Sequence, residues 1–255
     1  MEYPREQPTL EVRNLRFAVE EGVPRAWHGG RRSVTVFFDN LSIFFPAGER
    51  FFIASVNAHR GHVVDAQLAR DVRVFAGQEG CHSREHVRWN EALAARGYPI
   101  EAMVGRVERL LARVTRRTPA RWQLAITCAL EHFTALMAEM LLANPALLEG
   151  ADAKMAELWR WHATEESEHR AVAFDVFRAA GGTYAERVLT MVGATVIFWA
   201  KVLEHQVRLM RVDGIAASPR EWAALARFLF VRPGGMLGLV RPYLRYYLPG
   251  FHPWK

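Results

Sequence analysis

Cysteine is scarce in this sequence, and long uncharged apolar runs are missing from it. The 255 residues include two cysteines, Cys81 and Cys128, too few for a disulfide scaffold or a cysteine-rich zinc module. The longest strongly apolar run without charge lies between Arg187 and Lys201 and holds 13 residues, whereas a membrane-spanning helix needs about 20. Residues 1–8 have no apolar core of the signal-peptide type. We therefore expect a cytoplasmic, globular protein.

The composition and the charge distribution narrow the class further. Apolar residues make up 51% of the chain and charged residues 24%, which excludes a disordered or collagen-like chain. The net charge of +6 lies in residues 201–255, where nine Lys or Arg accompany three Asp or Glu among many aromatic residues. This basic segment is interpreted as a solvated face over an aromatic core, or as a site for an anionic substrate or an anionic membrane surface. We expect no nucleic-acid partner, because no nucleic-acid motif occurs and the arginines are spaced singly.

Helical periodicity and turn signals predict an almost entirely α-helical chain after residue 33. Pro46 and Gly48 interrupt the first apolar segment, and a helix restarts at residues 49–56. Residues 11–17 are interpreted as one strand or an extended arm. Further helices are expected at residues 65–96, 101–116, 119–143, 152–180, 184–212 and 219–232, with a last short helix before Pro249. Long helices with short connections are typical of an all-α bundle.

Two Glu-x-x-His motifs, each in a predicted long helix, carry the chemistry of this sequence. They are Glu79-Gly-Cys-His82 and Glu166-Ser-Glu-His169. A three-residue offset places the glutamate and the histidine on one face of a helix, about one turn apart. Each motif can therefore offer one carboxylate and one imidazole to the same metal ion.

Each motif is preceded by another glutamate in an apolar, aromatic setting. There are 29 residues between Glu49 and Glu79, and 34 residues between Glu131 and Glu166. About thirty residues is the length of a helical hairpin, so the chain contains two copies of one pattern. A glutamate from each of two helices and a Glu-x-x-His from each of two others is the arrangement of carboxylate-bridged dinuclear sites in four-helix bundles. The predicted metal ligands are Glu49, Glu79, His82, Glu131, Glu166 and His169.

Charge supports this interpretation over the alternative of surface glutamates with incidental histidines. Each unpaired carboxylate in a bundle core would cost several kcal/mol, and two divalent cations cancel the charge of four. The donor set is rich in oxygen, has one nitrogen per metal and lacks thiolate. Such a set favours two divalent ions, with iron first, manganese second and zinc third.

Neighbouring polar residues are candidates for catalysis or for support of the ligands. His86 and His162 each lie four residues from a predicted ligand, on the same helix face. Each could serve as a hydrogen-bond partner of a ligand, as a proton relay or as part of the pocket wall. Glu165 adjoins Glu166 and is a candidate general base. The predicted catalytic residues are His162, Glu165 and His86. Further candidates to bond the far nitrogen of a ligating histidine are Glu168, Glu139 and Asp175.

The sequence resembles a family of bacterial predicted metal-dependent hydrolases with a ferritin-like helical core. The resemblance is carried by residues 41–52 (LSIFFPAGERFF), 75–86 (FAGQEGCHSREH), 129–134 (ALEHFT), 161–175 (WHATEESEHRAVAFD) and 249–254 (PGFHPW), and it covers about residues 10–254. Gly80 departs from the pattern, because a bulkier residue is expected there. The resemblance implies a metal-dependent enzyme with a ferritin-like four-helix bundle.

We predict a single domain over residues 1–255. It comprises an N-terminal arm (1–32), a metal-binding bundle (33–180) and a C-terminal helical extension (184–255). A ferritin-like four-helix bundle with additional C-terminal helices is thus the predicted fold.

Three functions are compatible with the sequence. The first is a di-iron enzyme that activates oxygen on an apolar or amphipathic small molecule. The second is a dinuclear hydrolase, as the family description implies. The third is a metal-storage or membrane-associated binding protein without catalytic activity.

The expected partners follow from the apolar and basic segments. The apolar, aromatic residues around Glu49 and at 184–200 indicate a pocket for an apolar or anionic amphipathic substrate. The basic aromatic C-terminal segment is the candidate peripheral contact with a membrane. A homodimer through an apolar helix face is a further expectation.

Overall fold

A computed structural model describes residues 8–255, and the described chain is all-α, as predicted. Met1–Gln7, on which most of the signal-peptide interpretation depends, lie outside the described residues. The helices are α1 (Arg32–Asn57), α2 (Ala66–Ala95), α3 (Ile100–Arg117), α4 (Ala120–Ala143), α5 (Ala153–His169), α6 (Val172–Ala179), α7 (Tyr184–Val212), α8 (Pro219–Phe230) and α9 (Val240–Arg245). The residues from 8 to 255 form no strand, although His28 and Ala151 make an isolated bridge.

Helix starts and stops coincide with the capping residues read from the sequence. Asp65 accepts a hydrogen bond from the backbone N–H of Leu68 at the start of α2. Asp152 begins α5 in the same way, and Ser218 begins α8. Gly97 follows α2 with a φ of 89°, a conformation that residues with a Cβ rarely adopt. The boundaries of these helices are thus local properties of the sequence.

The expected interruption at Pro46 is wrong, because α1 runs through it as a single helix. A proline inside a helix has no N–H to donate to the carbonyl four residues earlier, here that of Ser42. The side chain of Asn90 on α2 supplies the missing donor, with its Nδ2 3.2 Å from the Ser42 carbonyl oxygen. A partner on another helix therefore satisfies the group that proline leaves unpaired.

The predicted helix at 152–180 is divided after His169, where Arg170 and Ala171 form a turn between α5 and α6. Arg170 forms an ion pair with Glu139 on α4, and its guanidinium lies 3.9 Å from the centroid of the Trp254 ring. Both partners are distant in sequence, so helical periodicity gave no sign of this turn.

Residues 11–17 form an extended arm and not a strand. The backbone N–H of Arg13 donates to Glu165 on α5 over 3.0 Å, and that of Phe17 donates to Glu85 on α2 over 3.0 Å. Because the arm bonds to side chains and not to another backbone, it lies across two helices without joining a sheet.

Four helices surround the predicted metal-binding residues. α1 packs against α2, α4 packs against α5, and α1 also contacts α4. Apolar clusters fill the space on both sides of the site, one around Trp89 and Trp159 and another around Phe75 and Phe177. This packing is compatible with the predicted four-helix bundle.

In the described part of the chain, two helices are long and apolar enough to cross a membrane by length and composition. The most apolar window of α4 is 67% buried, as in a core helix, and that of α7 is 22% buried. The apolar run of α7 includes the 13-residue segment noted in the sequence. The exposed apolar residues of α7 include Leu189, Val196 and Leu203, at 57–66% exposure.

Candidate metal centre

The six predicted ligands come together at one point, deep between the four helices. Glu49 comes from α1, the Glu79–His82 pair from α2, Glu131 from α4, and the Glu166–His169 pair from α5. All six are buried, with exposures of 0–3%. Helix spacing thus places on one interior site residues that lie up to 120 positions apart in the chain.

The potential ligand atoms form two groups. One group is Glu49, His82 and His162, and the other is Glu79, Glu166 and His169. Within each group, one ligand atom of every residue lies within 4.8 Å of the others. A group of this size could surround one metal ion. The second group consists of predicted ligands, whereas the first includes His162, which the spacing argument had placed among the catalytic residues.

Glu166 belongs to the second group and also contacts the first. Its Oε1 is 2.9 Å from His162 Nε2, and its Oε2 is 3.6 Å from His169 Nε2. Glu131 completes the second group, with Oε2 3.5 Å from the same nitrogen of His169. Glu166 is therefore in a position to bridge two metal ions.

The far nitrogen of His169 is held by a glutamine. Gln78 Oε1 lies 3.0 Å from His169 Nδ1, while Gln78 Nε2 donates to the Glu11 carbonyl and to Glu168. Since the amide nitrogen of Gln78 is already donating, its oxygen accepts and His169 Nδ1 carries the hydrogen. The lone pair of a neutral His169 then lies on Nε2, which faces Glu79 Oε1 at 3.1 Å.

Within the described chain, His82 lies against Glu165 and Glu166 but makes no hydrogen bond to either. Glu165 Oε2 is 3.0 Å from His82 Nε2, and His82 Nδ1 faces Glu166 at 3.7 Å. Arg13 holds Glu165 through its backbone N–H at 3.0 Å and its guanidinium at 3.5 Å. Neither ring nitrogen of His82 has a hydrogen-bond partner within residues 8–255, so both remain available to a metal ion.

A chain of buried hydrogen bonds determines the tautomer of His162. Ser42 Oγ donates to Asn90 Oδ1 over 3.1 Å and so accepts from His86 Nδ1 at 2.8 Å. His86 Nε2 must then accept from His162 Nδ1, at 2.6 Å. The Nε2 lone pair of a neutral His162 therefore points at Glu166, which makes this histidine a candidate third nitrogen ligand.

Burial and like charge leave the cluster electrostatically unbalanced. Burial raises the pKa of Glu49 and of Glu131 well above the usual range, and the neighbouring Glu79 raises both further. Burial also raises the pKa of Glu79. Burial alone would raise the pKa of Glu166 as well, but the contacts of its carboxylate with His162 and His169 hold that pKa well below the usual range. Carboxylates this close compete for the same compensating charge.

Unpaired polar atoms show that the cluster fits a pair of cations. Among residues 8–255, several of its buried atoms have no hydrogen-bond partner: both oxygens of Glu79 and of Glu131, Oε1 of Glu49, Oε2 of Glu166 and Nε2 of His169. Buried polar atoms are normally paired, and each one left without a partner is costly. Two divalent cations would supply four positive charges and a partner for each of these atoms.

Of the predicted catalytic residues, His162 reaches the cluster, whereas His86 and Glu165 contact its histidines. Glu168 does not contact a candidate ligand histidine; it accepts hydrogen bonds from Gln78, which holds His169, and from Arg13. The other two predicted supporting residues lie elsewhere: Glu139 pairs with Arg170, and Asp175 lies 3.1 Å from His252.

Sequence reasoning missed three residues that hold the centre, namely Gln78, Arg13 and Ser83. Ser83 Oγ donates to Glu49 Oε2 over 2.7 Å. Gln78 and Ser83 flank the first Glu-x-x-His motif, so their proximity to the site could have been noticed. Arg13 gave no local signal, because the folding of the arm alone brings it to α5.

Two adjoining apolar cavities meet the centre. The larger, of about 260 Å³, lies between α1, α3, α4 and α7 and reaches Glu49. The smaller, of about 60 Å³, extends towards α8 and reaches His162 and Glu166. Both are lined by Phe45 and Thr134, so the two cavities share a wall and border the cluster on the side of α1 and α4.

The chain matches a family model described as predicted metal-dependent hydrolase over residues 11–255. The protein belongs to this family. The resemblance read from the sequence is thus confirmed, and the family description supports a metal-dependent enzyme. No curated protein and no solved structure matches the chain. The family match covers all four helices that carry the candidate centre, together with the C-terminal helices.

Proposed function

We propose that this protein is a hydrolase with two divalent metal ions, held between α1, α2, α4 and α5. The proposed ligands are Glu49, Glu79, His82, Glu131, His162, Glu166 and His169. The observation that carries the proposal is the pair of buried ligand groups, joined by Glu166, which belongs to one group and contacts His162 of the other. Two bound metal ions activate water and stabilise negative charge that develops on a substrate.

The residues around the ligands orient them and keep the site dry. Glu165 and His86 act through His82 and His162, so we assign them an orienting role in place of the catalytic role predicted from the sequence. The apolar walls of the two cavities limit the water that reaches the centre, which strengthens electrostatic interactions there.

Metal content and hydrolysis measured together test the proposal. Protein purified without chelator should contain about two metal ions per chain, as the paired sites require. It should hydrolyse p-nitrophenyl esters or phosphates after loading with Zn(II), Mn(II) or Fe(II). The double variant Glu166→Ala, His169→Ala should lose both metal and activity. His62→Ala, which alters a histidine outside the cluster, is the matched control and should keep both. A metal-free wild-type protein after loading with all three ions would contradict the proposal.

Oxygen activation by a di-iron centre is the second candidate function. It is favoured by the donor set, since a glutamate from each of two helices and a Glu-x-x-His from each of two others is the pattern of di-iron carboxylate proteins. Oxygen consumption by the ferrous protein, with no hydrolysis in the zinc form, would favour this function. Hydrolysis in the redox-inert zinc form would favour the first.

A further inference from the structure

We propose that the larger cavity binds the hydrocarbon chain of an anionic amphiphile, with the head group at a cationic cluster around Lys201 and the far end of the chain, where the substrate would carry its hydrolysable bond, at Glu49. This inference rests on the proposed function, because it names the substrate class of the same centre. It adds α3 and α7 to the site, two helices that supply none of the candidate metal ligands.

The interior of the cavity offers few polar groups to a ligand. Besides the indole of Trp122, its polar lining residues are Glu49, Thr134, Thr190 and Lys201. The hydroxyl of Thr134 already donates to the Glu131 carbonyl, and that of Thr190 donates to the Glu186 carbonyl. A polar ligand would leave its own groups unpaired along these walls, whereas a hydrocarbon chain would not.

The dimensions of the cavity suit a chain. Its lining residues on α7 extend from Leu189 to Lys201, a length of roughly 18 Å at the usual helical rise. The volume of about 260 Å³ greatly exceeds what a single water molecule needs. Glu49 is fully buried, whereas the Lys201 side chain is 37% exposed, so the cavity connects the centre with the surface.

Three cations surround one carboxylate at the exposed end. Glu204 accepts from Lys201 at 2.7 Å and from Arg106 at 3.1 Å, and it forms an ion pair with Arg208 at 3.0 Å. Hydrogen bonding from Lys201 lowers the pKa of Glu204 to about 2, so this group is ionised at neutral pH. Three positive charges against one negative charge leave a surplus for an anionic head group.

Calorimetric titration with simple amphiphiles tests the inference. The probes are dodecyl phosphate, butyl phosphate and dodecyltrimethylammonium, each below its critical micelle concentration. Dodecyl phosphate should bind saturably at one site. Butyl phosphate should bind at least about 100-fold more weakly, because it lacks most of the buried methylene groups. The cationic amphiphile should bind about 10-fold more weakly than dodecyl phosphate, because it meets like charge.

A variant that fills the cavity locates the chain. Gly193 lines the cavity, and a Cβ added there meets no atom of the described residues within 4 Å, so the backbone tolerates a side chain at this position. Gly193→Phe should weaken dodecyl phosphate binding at least about 10-fold, since the new ring occupies the space of the chain. Ala200→Phe on the exposed side of α7 is the matched control and should bind as wild type does.

A charge variant locates the head group. The double variant Arg106→Gln, Lys201→Gln should weaken dodecyl phosphate binding about 10-fold and reduce its dependence on salt. Lys154→Gln, outside the cavity lining, should have no effect. Equal binding of long and short phosphates, or equal effects of Gly193→Phe and Ala200→Phe, would overturn the inference.

Titration of chelator-treated protein separates this inference from the proposed function. Binding of dodecyl phosphate should persist without metal, because the chain and the head group contact the cavity and the cationic cluster. Loss of binding on chelation, with no effect of the charge variant, would place the head group at the metal centre and overturn the proposed orientation. Absence of hydrolysis with intact binding would count against the hydrolase alone.

Discussion

Two of the candidate metal-binding histidines use one ring nitrogen to fix the direction of the other. Gln78 and His86 hold His169 and His162 by hydrogen bonds, and Glu165 lies 3.0 Å from His82 Nε2. Because these partners lie on α2 and α5, the geometry of the centre depends on residues that are not themselves ligands. Their effect on metal affinity can be measured separately from that of the ligands.

Replacement of Gln78 should weaken metal binding without removing a ligand. Gln78→Leu deletes the acceptor for His169 Nδ1, so the ring loses its fixed tautomer. We expect an increase of about 10- to 100-fold in the metal dissociation constant, measured by competition with a chelator. Gln67→Leu, on the exposed first turn of the same helix, is the control. Equal affinities of the two variants would show that Gln78 does not position His169.

Asp39 should make the stability of the protein depend on pH. It is buried and accepts hydrogen bonds from the indole N–H groups of Trp27 and Trp89, each at 2.9 Å. Burial raises the pKa of Asp39 to about 7. Since the folded state holds this proton more tightly than the unfolded state, the unfolding free energy should fall as pH rises from about 4 to 7, by about 4 kcal/mol at most.

Asp39→Asn should remove this dependence, because the amide accepts from both indoles and carries no charge. Relative to wild type, the variant should gain unfolding free energy at pH 8 and little or none at pH 4. Chemical denaturation at both pH values measures the difference. If the variant and wild type differ in unfolding free energy by the same amount at pH 4 and pH 8, Asp39 does not titrate in this range.

The N-terminal arm packs on α2 at a residue without a side chain. A Cβ added at Gly77 would lie 2.6 Å from Cγ2 of Val12, too close for both to stay in place. The arm also donates two backbone N–H groups to Glu165 and Glu85. Gly77 therefore allows an extended segment to lie close to the helix that carries the first Glu-x-x-His motif.

Gly77→Leu should displace the arm, whereas Gly80→Leu should not. A Cβ at Gly80 meets no described atom within 4 Å, so the second variant is a matched control on the same helix. Hydrogen exchange of the amides of Arg13 and Phe17 should be about 10-fold faster or more in Gly77→Leu, because their acceptors would be lost. Equal exchange rates in the two variants would contradict the close packing at Gly77.

We expect the candidate centre to link the stability of the whole molecule to metal binding. Four carboxylates are buried together, and several of their oxygens have no partner within the described chain. Metal ions that bind the folded state alone stabilise it by about 2.7 kcal/mol when present at 100 times the dissociation constant. For a chain of this length that corresponds to a rise in melting temperature of roughly 5–10 °C.

Removal of metal should therefore lower the melting temperature, and added Zn(II) or Mn(II) should restore it. Glu131→Gln should reduce this metal-dependent increment, because the amide brings no charge to the ions. In protein from which a chelator has removed the metal, Glu131→Gln should lower the melting temperature little, because it also removes a like charge from the cluster. Calorimetry with and without chelator measures both effects. If the metal-dependent rise in melting temperature is unchanged in Glu131→Gln, this residue is not a metal ligand.

Local sequence patterns were sufficient for most of the helix boundaries and for the six residues that meet at the candidate centre. Helical spacing places Glu79 with His82 and Glu166 with His169, because residues three apart lie on one face of any helix. The all-α class and the family resemblance followed from the same stretches and are confirmed. The role of the six residues as ligands stays a prediction.

Contacts between distant segments decided the remaining features. The continuity of α1 through Pro46 depends on Asn90, and the orientation of the histidines depends on Gln78, Glu165 and His86. The cavity between α3 and α7 exists only because four helices pack around it. Periodicity reports which face of a helix a residue occupies, but not which residue of another helix it meets, because that depends on the packing of the whole chain.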